Sequence, residues 1–190
     1  MMENEKKLVV DIITEAFDDN KSVNYVIKQD RSRVSRIRGL ITYSYNICKK
    51  YGAIFVNKDK NAVAMINLPH TKKFFFFSIS QDVRLIFKTI GVVNLPNVLR
   101  RESVIKSNHP TMPFCHLWYI GVSKKDQGKG IGTELLKKVI SKYEELHLPI
   151  YLETSMEENV SWYVKHDFEV YNEIKDFGFT TYMIRRPSSK

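Results

Sequence analysis

The stretch GVSKKDQGKGIGT, from Gly121 to Thr133, holds four of the chain's eight glycines. An apolar run, Leu117 to Val122, leads into it. Behind it Ile131, Leu135, Leu136, Val139, Ile140, Tyr143 and Leu146 recur at helical spacing and stop before Pro149. A strand that enters a glycine turn and leaves as a helix is a recurrent anion site. Glycine admits unusual φ values and lets a ligand approach the main chain. The N–H groups of the first helical turn have no carbonyl within the helix to bond, and the helix dipole aids an anion there. A tight turn without any ligand competes with that reading. Two familiar phosphate loops fit poorly. A P-loop needs GxxxxGK followed by Ser or Thr, but here Gly130 follows Lys129. A dinucleotide loop needs GxGxxG, and the glycines here fall at 128, 130 and 132.

The rest of the chain supplies a frame for this turn. Leu8, Val9, Ile12, Ile13, Ala16 and Phe17 predict one helix, and Val34 to Cys48 a second that begins in the basic run Arg31 to Arg38. Ala53–Val56 and Ala62–Leu68 predict a hairpin about the polar turn 57–61. The run Phe74 to Phe77 precedes an expected helix from Ser80 to Ile90. Its aromatics read as core, lid or pocket wall rather than as a membrane anchor. Pro96 to Ser107 reads as a further helix, closed by Pro110 and Pro113. Ile150–Glu153 is an expected strand, Glu158–His166 a short helix, and Phe168–Ile174 and Phe179–Ile184 closing strands. Helices and strands mixed in this order predict one α/β domain of mixed α+β type over residues 1–190.

Composition narrows the classes. The chain is 43% hydrophobic and 27% charged, with no apolar run of membrane-spanning length. The opening MMENEKKLVV meets Asp11 and makes a poor signal peptide, so a cytoplasmic location is expected. Cys48 and Cys115 follow no metal-ligand spacing and read as free thiols; no metal is expected. The net charge of +9 favours a polyanionic partner without choosing among them.

Gln127 to Gly132 fits the pattern Gln/Arg-x-x-Gly-x-Gly/Ala. On these residues the chain resembles the GNAT superfamily of N-acyltransferases, in which that loop holds the pyrophosphate of acyl-CoA. The likeness runs on through Leu117–Val122, through Pro149–Ser155 and through Glu158–Tyr163, and covers about residues 114–186. Within the family GVSxxxQGKGxG and the later LETS…N…Y…F stretch are most similar to puromycin N-acetyltransferase-like members. Residues 1–113 match in element order alone. The fold so implied is a central, mostly antiparallel sheet with a splayed pair of strands, flanked by helices. Residues 71–113 would be a helical insertion near the acceptor site.

The resemblance implies acetyl-CoA as co-substrate and a small-molecule amine as acceptor. It gives the pyrophosphate to Gln127, Gly128, Lys129, Gly130, Ile131, Gly132 and Thr133. It gives pantetheine and the thioester carbonyl to the main chain of Ile120, Gly121 and Val122, at a bulge whose N–H groups stabilise an oxyanion. Asn159 would hydrogen-bond the cofactor, where a helix-cap role competes. Tyr163 would protonate the departing thiolate, where a core role competes. Glu153, at a strand end, would take the amine's proton directly or through water, with His116 and Tyr119 as weaker candidates. One departure stands out: the family's Gly-Phe after the catalytic helix is Asp167-Phe168 here. A protein or peptide N-acetyltransferase and a non-catalytic acyl-CoA sensor are the alternatives. No nucleic acid or membrane partner is expected, Arg31 to Arg38 being a solvated face, and the chain would be a monomer or homodimer.

Overall fold

The computed structural model describes residues 2–71, 89–91 and 94–188. The element order is α1 (Met2–Ala16), α2 (Lys21–Val26), α3 (Arg33–Tyr51), β1 (Gly52–Val56), β2 (Ala62–Asn67), α4 (Leu95–Ser107), β3 (Cys115–Val122), α5 (Ile131–Glu145), β4 (Ile150–Thr154), α6 (Glu157–Val164), β5 (Glu169–Ile174) and β6 (Thr181–Arg186). The phenylalanine run and nearly all of the expected Ser80–Ile90 helix lie outside the described residues. The short α2 was not legible in the sequence, because six residues carry no readable period; Asn20 starts it by accepting from the Val23 N–H at 3.0 Å.

The strands form one sheet in the order β1-β2-β3-β4-β6-β5. Every neighbouring pair is antiparallel except β3 and β4. That parallel pair meets only at Cys115↔Ile150 and His116↔Tyr151. Beyond those two rungs the strands part, which is the expected splay. Helices cover both faces. Leu117, Leu152, Leu135, Leu136, Val139 and Tyr163 bury one face under α5 and α6. Val63, Met65 and Tyr119 bury the other under Ile13, Ile37 and Ile41 of α1 and α3.

The bulge in β3 is displaced from its expected place. Met65 pairs with Tyr119 and Ile66 with Leu117, so Trp118 has no opposite residue. An extra residue turns two successive side chains to the same face. Trp118 and Tyr119 accordingly both pack toward α1 and α3, while Leu117 and Ile120 both pack toward α5. The bulge therefore precedes Ile120–Val122 instead of containing them. The strand enters the fork with its phase already shifted.

Gly121 serves a purpose other than the expected bulge. A Cβ there would lie 2.8 Å from the Ala16 Cβ and 3.1 Å from the Ile13 Cδ1, so the missing side chain lets α1 lie close on β3. Gly121→Val should push that helix off the sheet and cost about 1–3 kcal/mol. A denaturant titration checks this, and an unchanged midpoint would remove the packing role.

The basic run that opens α3 is held by acids. Arg33 pairs with Asp18 at 2.6 Å, Arg36 with Asp30 at 2.6 Å, and Arg38 with Asp11. Asp30 lies well below the usual carboxylate range, chiefly because Arg36 hydrogen-bonds it. Asp167, standing for the family's glycine, has φ 64°, the left-handed conformation that aspartate tolerates better than most residues.

Candidate acyl-transfer site

The glycine loop is built as the sequence suggested. Gly128 and Gly130 have φ of 77° and 79°, and a Cβ at either would meet nothing within 4 Å. Their conformation demands glycine, and the space beside them is open. Gly130 is the N-cap of α5, and the first bond back along that helix runs from the Glu134 N–H to the Gly130 carbonyl at 3.1 Å. The amides of Ile131, Gly132 and Thr133 thus have no intrahelical partner. The Gln127 Nε2 donates to the Val122 carbonyl at 3.0 Å and ties the loop to the strand end. Lys129 lies 2.8 Å from Asp126, whose carboxyl is drawn down to about 2 by hydrogen bonds from Lys129 and Ser123. The positive charge at Lys129 is therefore partly spent inside the loop, while Lys124 and Lys125 are exposed.

Gly132 does not share the conformational demand. Its neighbours are the Val122 Cγ2 at 3.5 Å and the Trp162 ring at 3.8 Å, ordinary contacts for an added methyl. Trp162 Nε1 donates to the Thr133 Oγ1 at 3.1 Å, which fastens α6 to the first turn of α5.

These features suit a pyrophosphate: an open cradle, free amides and a helix N-terminus. Gly130→Val should preserve the fold, because the space is open, yet force the loop out of its left-handed conformation. CoA affinity is expected to fall by roughly tenfold or more, the equivalent of about 1.4 kcal/mol or above. Calorimetry that finds wild-type affinity in the folded variant would defeat the assignment.

At the fork, β4 carries Glu153 on the face away from α5. Its carboxylate receives two imidazoles. His109 Nε2 lies 2.5 Å from one oxygen and His116 Nε2 lies 2.9 Å from the other. Burial pushes the Glu153 pKa up, but the two histidines outweigh it and hold the group well below the usual carboxylate range. The carboxylate is thus kept ionised in a buried place. His116 was a weaker candidate in the sequence and proves to be a direct partner of Glu153. His109 was missed. It lies in the loop after α4, 44 residues from Glu153, and only the fold brings them together.

Tyr119 drops out of this group. Its ring stands edge-on to Phe17 with centroids 5.1 Å apart, and its hydroxyl lies 3.5 Å from that of Ser44 under α3. Burial raises its pKa to about 12. It faces the helical core and takes no part in the fork.

Tyr163 and Asn159 both sit on α6. Tyr163 is 5% exposed and packs on Phe168 with centroids 5.3 Å apart. Burial alone pushes its phenol well above the ordinary value, so the group stays protonated. The structure places the ring in the core on the α5 side of the sheet. Asn159 is not the helix cap. Met156 occupies that position, with its N–H bonded to the Thr154 Oγ1 at 3.1 Å. The Asn159 side chain is left without a capping role.

The model of the acetyltransferase (GNAT) family matches residues 49–168. The chain belongs to the GNAT family. Solved structures agree in fold. A histone acetyltransferase HPA2 and related acetyltransferase from Corynebacterium glutamicum superposes with a TM-score of 0.73 at 18% identity, covering 98% of this chain and 93% of the other. The C-terminal condensation domain of Ebony, solved with β-alanyl-dopamine, gives 0.70 at 11% identity over 97% and 94%. Arylalkylamine N-acetyltransferase 2 from Aedes aegypti gives 0.66 at 10% identity over 98% and 96%. α1 and α3 lie on the face of the sheet opposite α5, and the loop after α4 brings His109 to Glu153.

Proposed function

We propose that this GNAT protein transfers an acetyl group from acetyl-CoA to the primary amine of a small molecule. The observation that carries the choice of a small acceptor is an aromatic seam. Tyr25 of α2 rests on Phe177 and Phe179 of the β5–β6 turn, with ring centroids 5.6 and 5.8 Å apart. Ile105 and Val104 of α4 join the same cluster. A peptide acceptor would need an open groove between the N-terminal helices and this hairpin. Here the two are stapled, and α2 is also tied to the end of β4 by the Ser22 N–H, which donates to the Ser155 Oγ at 3.2 Å. The names of the structural neighbours span a histone acetyltransferase and an arylalkylamine N-acetyltransferase, so they do not make this choice.

Each residue then has a task. The amides from Gln127 to Thr133 hold the pyrophosphate. The freed main chain of Ile120 to Val122 lies along the open edge of β3, the kind of edge that pairs with an amide-rich strand. Asn159 adds a side-chain hydrogen bond to the donor. The donor supplies a thioester, an acyl group already activated toward amines. The proton that an ammonium must lose before it can attack passes to an imidazole of the His116–His109 pair, and the Glu153 carboxylate, held ionised between them, orients the rings and stabilises the charge so formed. Tyr163 gives a proton to the departing thiolate. Puromycin-like aminonucleosides are one class of acceptor in keeping with the glycine-loop sequence.

The test is release of free thiol from acetyl-CoA with a panel of aminonucleosides, arylalkylamines, polyamines and N-terminal peptides. Turnover confined to small amines is the expected result. Preference for peptides would overturn the acceptor class, and CoA binding without turnover on any amine would favour a sensor.

No helix among the described residues is long and apolar enough to cross a membrane. The acid-paired arginines of α3 support a solvated face in place of a nucleic-acid site.

A further inference from the structure

We propose that His109, His116 and Glu153 form a binding site for a zinc-class divalent ion at the mouth of the β3–β4 fork. The sequence showed no ligand spacing, because the three residues come from the loop after α4, from β3 and from β4. In the fold their ligand atoms all lie within 4.8 Å of one another, the one such group among the described residues. The side chains are only 13%, 9% and 12% exposed, so the donors are held in place before any ion arrives. Both histidines present Nε2, and each faces a different oxygen of one carboxylate.

Aromatic rings pack against both imidazoles. His109 stands against Phe114 with centroids 5.1 Å apart. His116 stacks on Trp118 at 6.0 Å and 24°. An apolar wall behind buried donors is what makes a metal site selective and strong. Two imidazoles and one carboxylate suit Zn²⁺ or Co²⁺ and do not suit Mg²⁺ or Ca²⁺, which want oxygen alone.

The geometry is close to what an ion needs. Tetrahedral zinc with bonds of roughly 2.0–2.1 Å sets its ligand atoms about 3.3 Å apart. From 2.5 and 2.9 Å, each histidine–carboxylate pair has to open by less than about 1 Å. Each imidazole binds the ion through its Nε2 lone pair and carries its one N–H proton on Nδ1, so the hydrogen bonds to Glu153 give way to bonds to the ion. Three protein ligands leave a fourth position open, the arrangement of reactive rather than structural zinc. One consequence rests on the function proposed above: with the ion bound, Glu153 and both histidines lose the lone pairs that accept the amine's proton. Zinc would then inhibit acetyl transfer reversibly.

The test uses the full chain, stripped with a chelator and dialysed, and titrated with Co²⁺ by absorbance and calorimetry. One equivalent should bind and give the visible d–d bands of four- or five-coordinate cobalt. No thiolate charge-transfer band should appear, since Cys48 and Cys115 are outside the site. Added Zn²⁺ should displace the colour. Glu153→Gln and His109→Gln should each weaken binding by more than the roughly 10–100-fold that loss of a residue behind a metal ligand costs. His70→Gln, an exposed histidine, should bind as wild type. No saturable binding to the folded protein overturns the site, as does saturable binding that neither variant weakens. Thiol release is measured separately, with and without chelator. Binding without inhibition would keep the metal site and remove these three residues from the proton path.

Discussion

Tyr163→Phe is expected to lower turnover by roughly 10²–10⁴-fold, the usual range for loss of a positioned acid, with CoA affinity nearly unchanged. The variant keeps the ring that packs on Phe168 and loses only the O–H. The phosphate cradle lies on another helix and is untouched. The direction of the pKa matters here. Burial pushes the phenol up, so it remains a proton donor across the neutral range. A thiolate leaving group is basic enough to take that proton only as the C–S bond breaks, which is when the acid helps. A thioester of a more acidic thiol needs the proton less, and the variant's defect should shrink with it. Steady-state kinetics with two thioesters, beside a calorimetric CoA titration, decides the matter. Near-normal turnover in the folded variant would reduce Tyr163 to a core residue.

Glu153→Gln should produce a loss of similar size, roughly 10²–10⁴-fold in turnover, by a different route. The amide has nearly the same shape but no charge. It accepts from one imidazole and presents an N–H₂ to the other, which must then accept through Nε2 as the Nδ1–H tautomer. The proton of the acceptor then has no buried anion to move toward. The defect should be large for strongly basic alkylamines, which are ammonium ions in neutral solution. It should be small for weakly basic aromatic amines, which are already neutral. Leaving-group acidity should not rescue this variant, and amine basicity should not rescue Tyr163→Phe. A Glu153→Gln enzyme with wild-type rates on an alkylamine would remove the base from this site.

The glycine loop, the strand before it and the helix after it were legible because each is a local matter. Positive φ at Gly128 and Gly130 requires glycine whatever surrounds it, and the period of α5 is set by one buried face. The residues around Glu153 and the β3 bulge were less legible. The bulge at Trp118 is invisible to simple alternation, since Leu117-Trp118-Tyr119-Ile120 is apolar throughout. Only the pairing with Met65 and Ile66 shows where the phase slips. Gly121 looked like a bulge residue, and its real constraint is a helix more than a hundred residues earlier in the chain. His109 sits in a proline-bounded loop whose path depends on tertiary contacts. Its pairing with Glu153 joins positions with no local relation.

The two rungs between β3 and β4 have a further consequence. A sheet normally ends at its outer strands, where proteins disguise the exposed hydrogen-bonding groups. This one has a second pair of edges in its middle, because the strands separate after His116 and Tyr151. A gap of that kind exposes the same unpaired groups that an extended amide-bearing chain can satisfy. Under the function proposed above, coenzyme would fill it as the missing strand. Its concentration would then set how much of the protein is kept whole as well as how fast it works, through ordinary mass action on the native state. Depletion of the donor would starve the reaction and, at the same time, open the sheet.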